Sequence, residues 1–322
     1  MKSQLQKRNG ATVFRHPISR LTWIAIAALF LAIPTWSAQA PAPGSCSTTS
    51  GCPGDRFHNL PTKPFRIIGN IYWVGLSDQV SFLITTPQGH ILLDTTSEET
   101  VPWVRESIEK LGFKLKDIKT IMTTHAHGPH MGGFAIFKEI TGAKIIAPAG
   151  DAYLLTDGGQ SDFDAGREIF TPVKPDRVVS DGDKVSLGGV TLVAHLTPGH
   201  TKGCMTWTTV VEDSGKKYNV VIACPPAVGG DTVPLVGNAK YPNIAEDYAK
   251  AFSVLKSLPC DVFLTTRSAI FKREEKQKRL EAGEQPNPFI DPKGYQEYIA
   301  DAEKRYLDKL AQDRKKVAEK KQ

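Results

Sequence analysis

Three of the eight histidines in the 322-residue chain fall inside six residues, in Thr123-Thr124-His125-Ala126-His127-Gly128-Pro129-His130-Met131-Gly132-Gly133. Neutral imidazole is the commonest protein ligand for zinc. Two imidazoles one residue apart can turn toward one ion where the backbone is extended or bent. A fourth histidine, His200, stands in Thr197-Pro198-Gly199-His200-Thr201-Lys202-Gly203, which also follows an apolar run. Zinc held by histidines with one position open brings the pKa of a bound water to ~7 and polarises carbonyls, so the chemistry such a set suggests is hydrolysis.

The elements that must present these residues read as follows. Residues 118–122 predict a short buried strand, and Gly128-Pro129 is expected to stop regular structure, leaving the histidines on the loop at the strand's end. Upstream, β-runs over 65–68, 71–74, 80–86 and 90–93 are separated by turn residues and predict an antiparallel meander. Asp94 closes the last of them. Ser97 is expected to cap a helix through Leu111, ended by Gly112. Past the histidines, the pattern gives a helix over 131–140 ended by Gly142, a strand over 143–147 and a short helix over 151–155. Residues 156–176 read as a long surface loop, of a length often used as a functional cover.

The second half repeats the style. Strands are expected at 178–179, 184–187 and 190–196, with a hairpin of 205–211 and 218–223 over Asp213-Ser214-Gly215. A helix over 244–255 carries Ile244, Tyr248, Phe252 and Leu255 on one face. A last strand at 262–264 runs into Thr265-Thr266-Arg267. From Pro292 a helix carries Tyr295, Ile299, Ala302, Tyr306 and Leu310 as a stripe, with lysine-rich last turns expected to fray. Strands with helices spliced between them, twice over, predict two sheets packed face to face with helices outside.

Composition sets the compartment and the partners. The chain is 40% hydrophobic and 23% charged, ordinary for a globular protein. Of its net charge of +6, five positive charges (Lys2, Lys7, Arg8, Arg15, Arg20) lie in the first forty residues, which hold no acidic residue. The remainder is close to neutral, which argues against a nucleic-acid or anionic-membrane footprint. The basic start, the apolar run 21–33 and Ala38-Gln39-Ala40 read as a cleaved export signal, with an uncleaved anchor as the alternative. Residues 1–40 are therefore expected to be a signal peptide cut near Ala40, 41–64 an N-terminal arm, and 65–322 the folded domain of a periplasmic or secreted protein. The five cysteines suit an oxidising compartment. Cys46 and Cys52 are close enough to close a small loop, and Cys204 and Cys224 flank the hairpin and could face each other, leaving Cys260 single. Buried free thiols remain the other reading.

At this point the chain resembles the metallo-β-lactamase superfamily, and within it the third subclass of zinc β-lactamases. The carriers are Ile91-Leu92-Leu93-Asp94-Thr95, the histidine stretch, Leu196 through Gly203, Leu235-Val236-Gly237-Asn238, Leu258 through Leu264 and Asn287-Pro288-Phe289. The resemblance implies an α/β fold, an αββα sandwich of two packed mixed sheets with the metal site at one edge. It implies a first metal on His125, His127 and His200. A second metal in the family takes an aspartate, a further histidine and a last histidine after the final strand. Only His130 of those is present, with Pro129 and Arg267 in the other two places.

Proline offers no donor atom and arginine stays protonated, so one Zn2+ per chain is expected. The resemblance then implies a zinc hydrolase opening a β-lactam or related cyclic amide through a zinc-bound hydroxide, impaired by the loss of its second metal. Arg267 is the candidate to fill the lost cation's charge niche and grip a substrate carboxylate. His130 is the candidate general base, and Asp94 the residue that orients a ligand histidine. Cys224 is a weaker ligand candidate beside its disulfide reading. His58, His90 and His195 read as surface or packing residues. The serine-containing pattern that faces substrate in the family is missing from residues 225–230. The partner expected is a small-molecule substrate, with no nucleic acid and, after signal cleavage, no membrane. The alternatives are a non-catalytic relative, with one zinc or none, and a mono-zinc lactonase or esterase.

Overall fold

The computed structural model describes residues 59–164, 169–229 and 232–320. The proposed signal segment and the Cys46/Cys52 pair lie outside them, as does His58. Among the described residues, twelve strands form two mixed sheets. In the first, β1 (Phe65–Ile68), β2 (Ile71–Trp73), β3 (Phe82–Thr86) and β4 (Gly89–Leu93) are the antiparallel meander. They are followed by three parallel strands, β5 (Ile118–Met122), β6 (Lys144–Pro148) and β7 (Arg177–Val179). The second sheet takes the order β12-β11-β10-β9-β8. Its strands are β8 (Lys184–Leu187), β9 (Val190–Leu196), β10 (Met205–Asp213), β11 (Lys216–Ala223) and β12 (Val262–Thr265), and only β11–β12 is parallel.

The two-residue period of a strand sorts the core into two layers. On β4, Ile91 and Leu93 face the layer that holds Leu192, Ala194, Trp207 and Ile222 of the other sheet. Leu92 faces the opposite layer, against α1 (Val101–Lys110) and the helices that follow β5, where Val104, Ile108, Phe134 and Phe137 are buried. All five residues of β4 are buried, as expected of a strand covered on both faces.

The histidine stretch departs from expectation. Gly128-Pro129 does not end regular structure; it opens a short helix, α2 (Gly128–Met131), that carries His130. A proline in the first helical turn lacks only an N–H that no intrahelical carbonyl would have accepted. The helix expected over 131–140 is split there, its second piece being α3 (Phe134–Thr141), closed by left-handed Gly142. Ser97 does not cap a helix through its side chain. A 3-10 turn at Glu98–Thr100 precedes α1, and the Ser97 hydroxyl instead accepts a hydrogen bond from Gln79 at 2.6 Å.

The rest follows the pattern closely. After α4 (Ala152–Asp157), the long connection holds no helix or strand in its described parts. The helix α5 (Ile244–Ser257) buries the four predicted residues. One helix escaped the sequence reading: α6 (Arg273–Glu281), whose buried positions are Arg273, Lys276 and Gln277. The C-terminal α7 (Pro292–Glu319) buries the predicted stripe and stays helical to Glu319, where fraying had been expected. Cys204 and Cys224 form the hairpin disulfide, which removes Cys224 as a metal ligand, and Cys260 is a free thiol. Among the described residues no helix is long and apolar enough to cross a membrane.

Candidate metal centre

The site forms where the ends of β4, β5, β9 and β12 meet. His125 and His127 follow β5, and His200 lies on the connection from β9 to β10. Hydrogen bonds from β10 hold the first loop: the Met205 N–H donates to the Thr124 carbonyl at 2.8 Å and the Trp207 indole N–H to the Thr123 carbonyl at 3.0 Å. Asp151, fully buried just before α4, is the strut between them. Its carboxylate accepts from the Ala126 N–H at 3.0 Å, the Thr201 hydroxyl at 2.7 Å and the Gly203 N–H at 2.7 Å. Gly199 brings the second loop in close. A Cβ there would stand 2.6 Å from the Tyr248 ring, and its φ of +130° suits glycine alone.

The result is a cluster of three imidazoles whose candidate donor atoms all lie within 4.8 Å of one another. Each ring has its other nitrogen engaged. His125 Nδ1 is 3.1 Å from the Thr124 hydroxyl, His127 Nε2 is 3.0 Å from the Asp162 carboxylate, and His200 Nδ1 is 3.1 Å from the Ala227 carbonyl. That leaves Nε2 of His125, Nδ1 of His127 and Nε2 of His200 as the donor set. Loss of water around the rings, and then the mutual repulsion of the neighbouring imidazoles, holds His125 and His200 well below the usual histidine range. Both are therefore neutral at pH 7, the protonation state a metal needs. Three imidazoles from two braced loops, with their candidate donor atoms gathered within 4.8 Å, are a donor set that fits zinc with one position open.

The neighbouring seat is built differently. Pro129 offers it only ring carbons. His130 lies with its ring 4.3 Å from that of His125, and its Nδ1 pairs with Asp94 at 3.2 Å. Burial lowers the His130 pKa, and Asp94 opposes that shift. Arg267 follows β12, bridged by its backbone to Gln79, and its guanidinium pairs with Asp78 at 2.7 Å. It stands close enough that its charge contributes to lowering His125, His130 and His200.

Asp94 differs from expectation in its partner. It contacts none of the three clustered histidines. It accepts from the Thr124 N–H at 3.0 Å and the Thr123 hydroxyl at 2.9 Å, and reaches His125 only through the Thr124 hydroxyl, 3.3 Å away. To do so it adopts a φ of +59°, a conformation that costs of order 1–3 kcal/mol outside glycine and that collects at functional sites. His195 bonds Thr208 at 2.8 Å and His90 packs on Phe113, as packing histidines should. Sequence reasoning passed over Asp151, Asp162, Thr124, Tyr248 and Asp78. Residues 225–229, noted only for what they lack, hold His200 in place through Ala227, whose carbonyl also accepts from the Tyr248 hydroxyl at 2.7 Å.

The comparisons agree with this geometry. The family described as the metallo-beta-lactamase superfamily matches residues 74–213. Among solved structures, the native FEZ-1 metallo-beta-lactamase of Legionella gormanii is 42% identical, with a TM-score of 0.77, over 79% of this chain and 97% of that one. BJP-1, a subclass B3 metallo-beta-lactamase of Bradyrhizobium japonicum, is 36% identical, with a TM-score of 0.75, over 84% of this chain and 98% of that one. A hydroxyacylglutathione hydrolase of Rhodopseudomonas palustris is 32% identical over 126 residues, 39% of this chain. The chain spans 41% of the length of that curated relative. The two mixed sheets with their outer helices, the three braced histidines and these likenesses agree: the chain belongs to the metallo-beta-lactamase superfamily.

Proposed function

We propose that the protein is an exported hydrolase that works with one zinc ion, held by His125, His127 and His200, and opens a β-lactam or a related cyclic amide. The observation that carries the reading is the asymmetry of the two seats: three anchored imidazoles gathered in one, and proline, a carboxylate-paired histidine and a guanidinium in the other. The likeness to FEZ-1 and BJP-1 supports the substrate class. When bound, the ion supplies Lewis acidity at the carbonyl and lowers the pKa of water to ~7.

The chain's own residues do the rest. Asp94 holds His130 by Nδ1, which turns Nε2 outward as the proton acceptor, and burial keeps that ring neutral at pH 7. Arg267 keeps a positive charge where the family's second metal would stand and orients a substrate carboxylate, for which the planar guanidinium is geometrically suited. Without the second metal's help to the leaving nitrogen, turnover is slow by the standard of two-metal enzymes, since that charge stabilisation is worth several kcal/mol.

Nitrocefin and a carbapenem, assayed with and without a chelator beside a panel of lactones and esters, test the proposal. Chelator-sensitive opening of a β-lactam supports it. Turnover confined to esters or lactones moves the substrate class. One tightly held zinc with no turnover at all leaves a binding protein on a hydrolase fold, the reading that the Arg267–Asp78 pair favours. Export belongs to the same proposal, and N-terminal sequencing of the mature protein checks it, with a start near Pro41 expected.

A further inference from the structure

Among its described residues, the connection after α4 reaches the metal cluster through the Asp162 carboxylate. Asp162 is buried, and its Oδ2 lies 3.0 Å from Nε2 of His127, itself buried. The two residues are 35 positions apart and come from different elements. The neck of the connection is pinned onto α4: the Phe170 N–H donates to the Gly158 carbonyl at 3.1 Å and the Val173 N–H to the Leu155 carbonyl at 2.8 Å. Left-handed Gly158 permits this, since a Cβ there would sit 2.5 Å from the Phe170 carbonyl oxygen. Beyond the neck, Phe163 meets the Tyr241 ring edge-on at 5.0 Å, and Lys202 of the His200 loop lies over the same ring at 5.4 Å. The segment thus meets His127 through Asp162 and the Tyr241 ring through Phe163.

An imidazole can carry its proton on either nitrogen, and only the bare one binds metal. A carboxylate at Nε2 keeps the proton there and presents Nδ1 as the ligand, while His125 and His200 are held the other way round. The tautomer of His127 therefore depends on where the segment sits. Linkage is reciprocal: whatever ties the segment to His127 raises zinc affinity, and zinc on His127 must hold the segment down to the same extent.

We infer that Asp162 is a positioning residue that couples seating of residues 158–164 to zinc binding, so that loading the ion and closing this wall of the cleft are one equilibrium. The inference rests on the proposed zinc site and goes beyond it by naming what controls occupancy.

Zinc affinity by competition with a chromophoric chelator tests it without any assay of turnover. Asp162→Ala is expected to weaken zinc by ~10–100-fold, the range for loss of a carboxylate behind a ligating imidazole. Asp162→Asn, which keeps an acceptor oxygen, restores part of that loss. In the wild-type protein, zinc is expected to slow hydrogen exchange at 158–164, and the alanine variant loses this effect even at saturating zinc. Nitrogen NMR of His127 should report zinc on Nδ1 in the wild type and a mixture of both nitrogens in the variant. Wild-type affinity in Asp162→Ala, or exchange at 158–164 indifferent to zinc in the wild type, overturns the coupling. Failure of the wild type to bind zinc at all would instead sink the proposed metal site. If the alanine variant does not fold, the asparagine variant and the wild-type exchange experiment decide alone.

Discussion

The two halves of the cleft are made from the same sheet ends, yet among the described residues only one gathers three imidazoles around a common point. Around His125, His127 and His200, every ring has a partner on its far side, and a buried aspartate ties the two loops together. A few ångströms away His130 keeps the same kind of support, a carboxylate behind its ring, but its neighbours do not follow. Pro129 has become the start of a helix and Arg267 an ion-paired side chain. If the protein holds one zinc as proposed, the difference teaches that a metal site is lost through its ligands sooner than through its scaffold. Asp94 adopts its costly backbone conformation beneath His130, outside the cluster of three.

The most drastic way to break the contrast is to rebuild the second seat. Pro129→Asp with Arg267→His should raise bound zinc from one equivalent toward two per chain, measured by metal analysis after washing. A double variant that still holds one would mean that the scaffold, and not only the ligands, has changed. Next in size is the strut. Asp151→Asn replaces an acceptor of three hydrogen bonds by a group that must donate, and should cost ~3 kcal/mol or more in denaturant unfolding of the metal-free protein. A variant as stable as the wild type would show that the two loops do not need bracing.

Acidification gives a smaller, graded effect. His125, His130 and His200 have folded pKa values below their unfolded value of ~6.5. As pH falls beneath that value the unfolded chain takes up protons that the folded cluster refuses, so stability present above pH ~6.5 is lost on the way down. The melting temperature of metal-free protein should therefore drop between about pH 7 and pH 5, and a flat or rising profile would contradict the neutral-cluster account. The least effect is expected from Tyr248→Phe. It removes one hydrogen bond to the Ala227 carbonyl behind His200, worth about 1 kcal/mol in stability.

How much of this was legible beforehand depended on the distance over which each feature is decided. The stripe Tyr295, Ile299, Ala302, Tyr306 and Leu310 is local, and it came through. The three histidines were legible because the resemblance supplied their grouping. Helix α6 was not, because its buried residues are an arginine, a lysine and a glutamine that carry no apolar periodicity. Arg273 is buried by stacking on Trp73 and Lys276 by pairing with Asp291, contacts visible only after folding. Asp162 and Asp151 were invisible for the same reason: their partners lie 25 to 52 positions away. Gly128-Pro129 misled, because the same pair that stops a helix from within can start one.

Metal stoichiometry bears most directly on the central contrast. Protein stripped of metal, saturated with zinc and washed should retain about one equivalent per chain, and His200→Ala should abolish it. Two tightly held equivalents in the unaltered protein, or one that survives His200→Ala, would contradict the account.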